Sequence, residues 1–124
     1  MELTLERPDD YLFVKRVDDT GITVVDRTLT RSFVLGMSEI VEDWPVTDVT
    51  QMRAEHASPI LELEPEVVLL GTGRTQRFPP TEVLAAFLKR GVGLEAMDNA
   101  AAARTHSVLA GEGRRVVAAF ILGS

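Results

Sequence analysis

Residues 66–73 read Glu-Val-Val-Leu-Leu-Gly-Thr-Gly. Val67 to Leu70 is an unbroken apolar run stopped by Gly71, the pattern of a strand buried on both faces. Such a strand needs covering layers, and the residues after it supply them. Pro80–Arg90 predicts a helix, with Val83, Leu84, Phe87 and Leu88 as its apolar stripe. Lys89 and Arg90 suit the negative end of its dipole, and Gly91 suits a left-handed stop. Val92–Met97 predicts a second strand. Asn99–Ala110 predicts a second helix, capped by Asp98 or Asn99, with Ala101, Thr105, Val108 and Leu109 on one face. The small run Ala100–Ala103 lets that helix lie close to a sheet. Gly111 and Gly113 end it, and Arg115–Leu122 predicts a third apolar strand. The order β-α-β-α-β implies a parallel three-stranded core with covering helices.

Upstream the period changes. Tyr11–Val17 and Ile22–Asp26 predict a hairpin around the turn Asp18-Asp19-Thr20-Gly21. Thr28–Leu35 alternates, although Arg31 falls on its apolar side. Ile40–Val46 predicts a further strand, with Pro45 placing its end on an edge. These segments read as a β-meander. Asp48–His56 is weakly helical. Ser58-Pro59 predicts the capped start of a short helix, Pro59–Leu63, halted before Pro65. The fold class expected is α/β: a β-rich part over residues 1–47, then a helix and a βαβαβ core with a mostly parallel sheet over residues 48–124. Nothing in the composition divides them, so residues 1–124 are expected to form a single domain.

The chain has 124 residues, 45% hydrophobic and 26% charged, which excludes a disordered chain. It has no cysteine, which excludes disulfides, thiol nucleophiles and cysteine-held metals. The net charge of −6 argues against a nucleic-acid binder. That charge is uneven: residues 1–70 hold 6 Lys/Arg and 15 Asp/Glu, residues 71–124 hold 7 and 4. The asymmetry marks an interaction surface or an attraction between the two parts. The first ten residues carry Glu2, Glu6, Asp9 and Asp10, unlike a signal peptide or a presequence. No apolar run approaches the ~20 residues of a spanning helix. No membrane or nucleic-acid partner is expected, and the setting expected is cytoplasmic.

Ligands in open parallel sheets bind beyond the carboxyl ends of the strands. The candidates there are Gly71, Thr72, Gly73, Arg74 and Arg77 in one loop, and Glu95, Asp98 and Asn99 in the next. The first loop offers backbone N–H groups, hydroxyls and guanidiniums beside a helix N-terminus, suited to a phosphate or carboxylate. Alternatively the glycines only permit a sharp exit from a buried strand. Glu95 and Asp98 form an acid–base pair, or Asp98 caps a helix and Glu95 pairs with an arginine. A dinucleotide fingerprint fails at Gln76, where its third glycine belongs, and no phosphate-loop motif exists. His56 and His106 lack metal-ligand spacing. Ser107 beside His106 makes no triad. No metal, cofactor or catalytic residue is therefore expected. Trp44 reads as core or as a partner anchor.

Three separated strings carry a resemblance: Glu66–Gly73 with its Gly-Thr-Gly turn, Arg90–Ala101, and Glu112–Ala119 with its Glu-Gly-Arg start. They resemble a small α/β family long described only as a domain of unknown function. It includes a mitochondrial assembly factor for respiratory complex I and an adipogenesis-associated protein. The resemblance spans roughly Val25 to Leu122 and includes Trp44-Pro45. It implies a β-rich N-terminal part joined to a βαβαβ core. Carried over residue by residue, the family pattern marks Gly71, Thr72, Gly73, Glu95, Asn99, Ala100, Thr105, Glu112, Gly113 and Arg114. The mitochondrial member acts by binding proteins, with no established catalysis. One departure stands out: relatives usually place an aromatic residue and then Asn after the helix threonine, where this chain has His106 and Ser107.

Two readings follow. In the first, preferred here, the chain is a non-enzymatic interaction protein or assembly helper, binding a protein through the strand-end loops or the edge near Trp44. In the second, Thr72, Arg74, Arg77, Glu95 and Asn99 line a pocket for a small anion or substrate. The first expects an exposed apolar, flat surface around Gly71–Arg77, and the second a concave pocket with converging polar groups. The residues do not decide between monomer and homodimer.

Overall fold

The computed structural model describes residues 11–123. The acidic residues 1–10 and Ser124 lie outside the described residues. Among the described residues, eight strands and three α-helices follow in the order β1 (Val14–Val17), β2 (Ile22–Val24), β3 (Arg27–Leu29), β4 (Phe33–Leu35), β5 (Ile40–Val41), α1 (Ser58–Leu61), β6 (Val67–Gly71), α2 (Thr81–Leu88), β7 (Gly93–Met97), α3 (Asn99–Gly111) and β8 (Val116–Phe120). They build two sheets: β1-β2-β3, and a mixed sheet ordered β5-β4-β8-β6-β7.

The βαβαβ core forms as expected. β6 lies between β8 and β7 and is parallel to both, with Leu69 opposite Ala118 on one side and Glu95 on the other. Burial on both faces explains its continuous apolar run. Side chains alternate between two cores. Val68, Leu70, Val117, Ala119 and Val34 enter the layer under α1 and α2, with Val83, Phe87, Ile60 and Met52. Leu69, Val116, Ala118, Phe120, Phe33 and Leu35 enter the other, covered by α3 and the small sheet through Ile22, Val24 and Leu29. Each fully buried Val, Leu, Ile, Met or Phe side chain among them contributes about 1.5–3 kcal/mol. Phe33 and Phe120 stack with centroids 5.2 Å apart on the pair β4–β8.

The N-terminal part differs from a simple meander. The segment 28–35 is not one strand: β3 pairs with β2, whereas β4 pairs antiparallel with β8 in the large sheet. The crossing occurs at Thr30–Ser32, where the buried Ser32 hydroxyl donates to the Val46 carbonyl and accepts the Leu122 N–H at 2.8 Å. Arg31 lies in this crossing and points to solvent, which resolves its misfit in the alternation. Of the segment 40–46 only β5 pairs, with β4. Trp44 lies beyond it, 3% exposed, its indole N–H donating to the His56 carbonyl at 3.0 Å. The expected partner anchor at Trp44 is therefore corrected: its side chain belongs to the core.

The connecting helices are shorter than expected. Residues 48–57 make two 3₁₀ turns, Val49–Gln51 and Ala54–Ala57, the second running directly into α1. Ser58 thus has helical dihedrals (φ −57°, ψ −48°) and is not the cap it resembled. The β1–β2 turn forms as read: Asp18 accepts from the amides of Thr20 and Gly21, at 3.0 and 3.1 Å. The bonds from Thr20 hold its carboxyl below the ordinary range. Helix α2 stops at a left-handed Gly91 (φ 72°) as predicted, but Leu88 leaves the stripe and is exposed. Helix α3 buries a different face from the one read: Asn99, Ala102, Ala103, His106 and Ala110, with Val108 exposed. Close approach to the sheet selects small side chains at that contact.

His106 occupies the centre of this buried face and is inaccessible, and neither ring nitrogen has a hydrogen-bond partner. Burial pushes its pKa from 6.5 down to about 4. The unfolded chain therefore takes up this proton first on acidification. The stability tied to neutral His106 is complete above about pH 6.5 and is lost as pH falls toward 4, at up to about 1.4 kcal/mol per pH unit. Urea unfolding across this window should show that slope in the natural chain and lose it in His106→Phe. An unchanged slope in the variant would contradict the assignment.

Candidate functional site

The carboxyl ends of β6, β7 and β8 meet at one buried side chain. Asn99, the first residue of α3, is 5% exposed. Its Oδ1 accepts the Gly73 N–H at 3.2 Å, and its Nδ2 donates to the Ile121 carbonyl at 3.0 Å. Its own N–H donates to the Gly73 carbonyl at 2.8 Å. The Asn99 amide therefore ties the exit of β6 to the exit of β8, from a residue that itself follows β7. Gly71 makes the approach feasible: a Cβ there would overlap Asn99 Oδ1 and press on the Phe120 ring at 3.1 Å. Gly73 has φ 107°, a conformation that favours glycine. Thus one glycine serves close contact and the other serves the turn.

Thr72 organises the loop from within. Its buried hydroxyl donates to the Thr75 carbonyl at 2.7 Å and accepts the Arg77 N–H at 3.1 Å, while its amide donates to the Met97 carbonyl at 2.9 Å. Asp98 caps α3 by accepting the Ala101 N–H at 2.8 Å, which commits one of its two oxygens to the helix. The polar groups read as ligand contacts, Thr72, Asp98 and Asn99, already have internal partners.

What faces outward is the segment Arg74–Phe78, exposed throughout. Arg74 is 80% exposed and lies 3.4 Å from Asp19 of the β1–β2 turn, and Arg77 lies 3.8 Å from Asp48. Gln76 donates to the Ala96 carbonyl of β7 at 2.9 Å. Phe78 is 69% exposed. Phe78 carries no motif that marks it as functional; its one signal in the sequence is that a phenylalanine between Arg77 and Pro79-Pro80 has no periodic partner to bury it. Two clefts flank Gly73. One of about 420 Å³ lies among Asp18, Asp19, Gly73, Arg74, Asp98 and Asn99. The other, of about 360 Å³, lies among Thr47, Asp48, Thr72, Arg77 and Gly123.

The remaining candidates do not join this cluster. Glu95 is exposed in the middle of β7, the outer strand of the sheet. Thr105 is half-buried on α3, six residues past Asn99 and so about 9 Å along the axis. Arg114 sits at the opposite end of the parallel strands, 3.8 Å from Glu66. Glu66 and Arg114 precede the paired start Val67–Val116, whereas Gly71 pairs with Phe120 at the finish.

The chain belongs to the family of proteins of unknown function DUF498/DUF598, whose model matches residues 14–121. A Xanthomonas campestris protein solved by NMR is similar throughout, at 50% identity and a TM-score of 0.83, covering 99% of this chain and 93% of its own. The Francisella tularensis "13 kDa major membrane protein" is 30% identical over 84 residues, 67% of this chain and 68% of that protein. The mouse "NADH dehydrogenase [ubiquinone] 1 alpha subcomplex assembly factor 3" is 32% identical over 113 residues, 89% of this chain. The match spans 60% of that factor's length. Among the described residues no helix is long and apolar enough to cross a membrane.

The contact between Gly71 and Asn99 sets a double-mutant test. Gly71→Ala should cost about 1–3 kcal/mol by overpacking. Asn99→Ala should cost a similar amount by leaving buried backbone groups unpaired. The double variant should fall short of the sum by at least about 1 kcal/mol, because removing the amide opens space for the methyl. Additive losses in denaturant unfolding would contradict the contact.

Proposed function

We propose that this chain is a non-enzymatic protein-interaction module, of the assembly-helper kind, and that the Arg74–Phe78 segment is its contact surface. One observation carries the reading. The buried Thr72 and Asn99 side chains are engaged in internal hydrogen bonds and one Asp98 oxygen caps α3, while an aromatic ring and two guanidiniums are turned to solvent. A substrate pocket needs converging polar groups with bonding capacity to spare. A docking surface needs exposed aromatic and arginine side chains on a firm base. The name of the mouse relative, an assembly factor, supports the same class of role.

Replacing Phe78 with a photo-crosslinking amino acid tests this in native cells. Discrete protein adducts should form there and be absent when the probe replaces the exposed Arg104 on α3. No adduct at position 78, together with a rise in melting temperature in phosphate or carboxylates, would favour an anion site instead.

A further inference from the structure

We propose that the partner segment bound by Arg74–Phe78 is an acidic peptide stretch carrying an apolar side chain. The inference rests on the interaction reading above and adds the chemistry of the occupant. The loop itself displays that chemistry. Both guanidiniums already rest near carboxylates, Arg74 on Asp19 at 3.4 Å and Arg77 on Asp48 at 3.8 Å. Both pairs are at the surface, with each side chain about half exposed or more. Such pairs are worth little, about 0–1 kcal/mol, so carboxylates of a partner can replace Asp19 and Asp48 at small cost. Arginine in turn offers planar, two-pronged donation to an incoming carboxylate.

Phe78 supplies the second half of the match. At 69% exposure beside Arg77, its ring is available to an apolar side chain flanked by acids. The base under these residues is fixed. Thr72 holds Thr75 and the Arg77 amide, Gln76 is anchored on β7, and Pro79-Pro80 follow directly, Pro79 being buried. A loop held in this way loses little further freedom on binding.

Charge favours an acidic peptide over the other anionic surfaces. Anionic membranes and nucleic acids recruit proteins through clusters of cations, typically four to eight for a membrane. This loop has two arginines in a chain of net charge −6. An acidic peptide needs only local pairing, which Arg74 and Arg77 can each supply by exchanging Asp19 and Asp48 for a carboxylate of the peptide.

Panning a random peptide library displayed on phage against the full chain tests the proposal. The enriched peptides should combine Asp or Glu with a large apolar residue. A synthetic consensus peptide should bind about tenfold more weakly to Arg74→Glu/Arg77→Glu and separately to Phe78→Ala, with both variants melting like the natural chain. Asp19→Asn, which releases Arg74, should tighten binding. No enrichment, peptides without acids, or binding unchanged in both variants would overturn the proposal, as would sedimentation with phosphatidylserine vesicles without peptide binding. Adducts at position 78 alongside such a failure would leave the interaction reading standing and remove only the acidic partner.

Discussion

The Asn99 side chain is the constraint on which this end of the molecule depends. Three parallel strands finish together, and each leaves backbone groups that no further ladder can pair. A buried N–H or C=O without a partner costs about 1–3 kcal/mol. Asn99 is suited to this position because its amide accepts and donates at once, from Gly73 and to Ile121. Aspartate lacks the donor, and alanine lacks both groups. The requirement spreads outward. Gly71 must be a glycine to admit the amide, Gly73 must turn with positive φ, and Asp98 must end β7 with a cap so that Asn99 opens α3.

That commitment shapes the outer face of the loop as well. With the inner polar groups occupied, the strand-end loop is left to show its outer face, Arg74, Arg77 and Phe78, on a base that Thr72 stiffens. The two ion pairs join this loop to the N-terminal half, one through the small sheet's hairpin at Asp19 and one through Asp48. The acidic N-terminal half and the mildly basic C-terminal half thus meet at the presented surface.

The βαβαβ core was legible because its signals are local: an apolar run ended by Gly71, a left-handed Gly91, and Asp98 as cap. The hairpin at Asp18–Gly21 was legible because the aspartate carries its own turn chemistry. The break between β3 and β4 was not. Within Thr28–Leu35 only Arg31, on the apolar side of the alternation, signals a break, and the crossing is fastened by Ser32 bonding to Leu122, ninety residues away. The buried face of α3 was misread because close packing there rewards small size, so Ala102 and Ala103 enter while Val108 does not. The site was half visible. The Gly-Thr-Gly turn reads either as ligand contacts or as a sharp exit from a buried strand, and Asn99 as a ligand contact or a helix cap, since a sequence does not show that their bonds close on each other. Arg114 stood with them by motif and lies at the other end of the strands. Of the two readings open for Trp44, core and partner anchor, the core one holds, and the exposed aromatic ring is Phe78.

Amide hydrogen exchange in Asn99→Ala, compared with the natural chain, tests the central claim most directly. If the amide fastens the strand ends, exchange should accelerate at Thr72, Gly73 and Arg77, while Leu69 and Val117 in the centre of the sheet keep nearly their full protection. Unchanged exchange in the loop, or a loss spread evenly through the sheet, would contradict it.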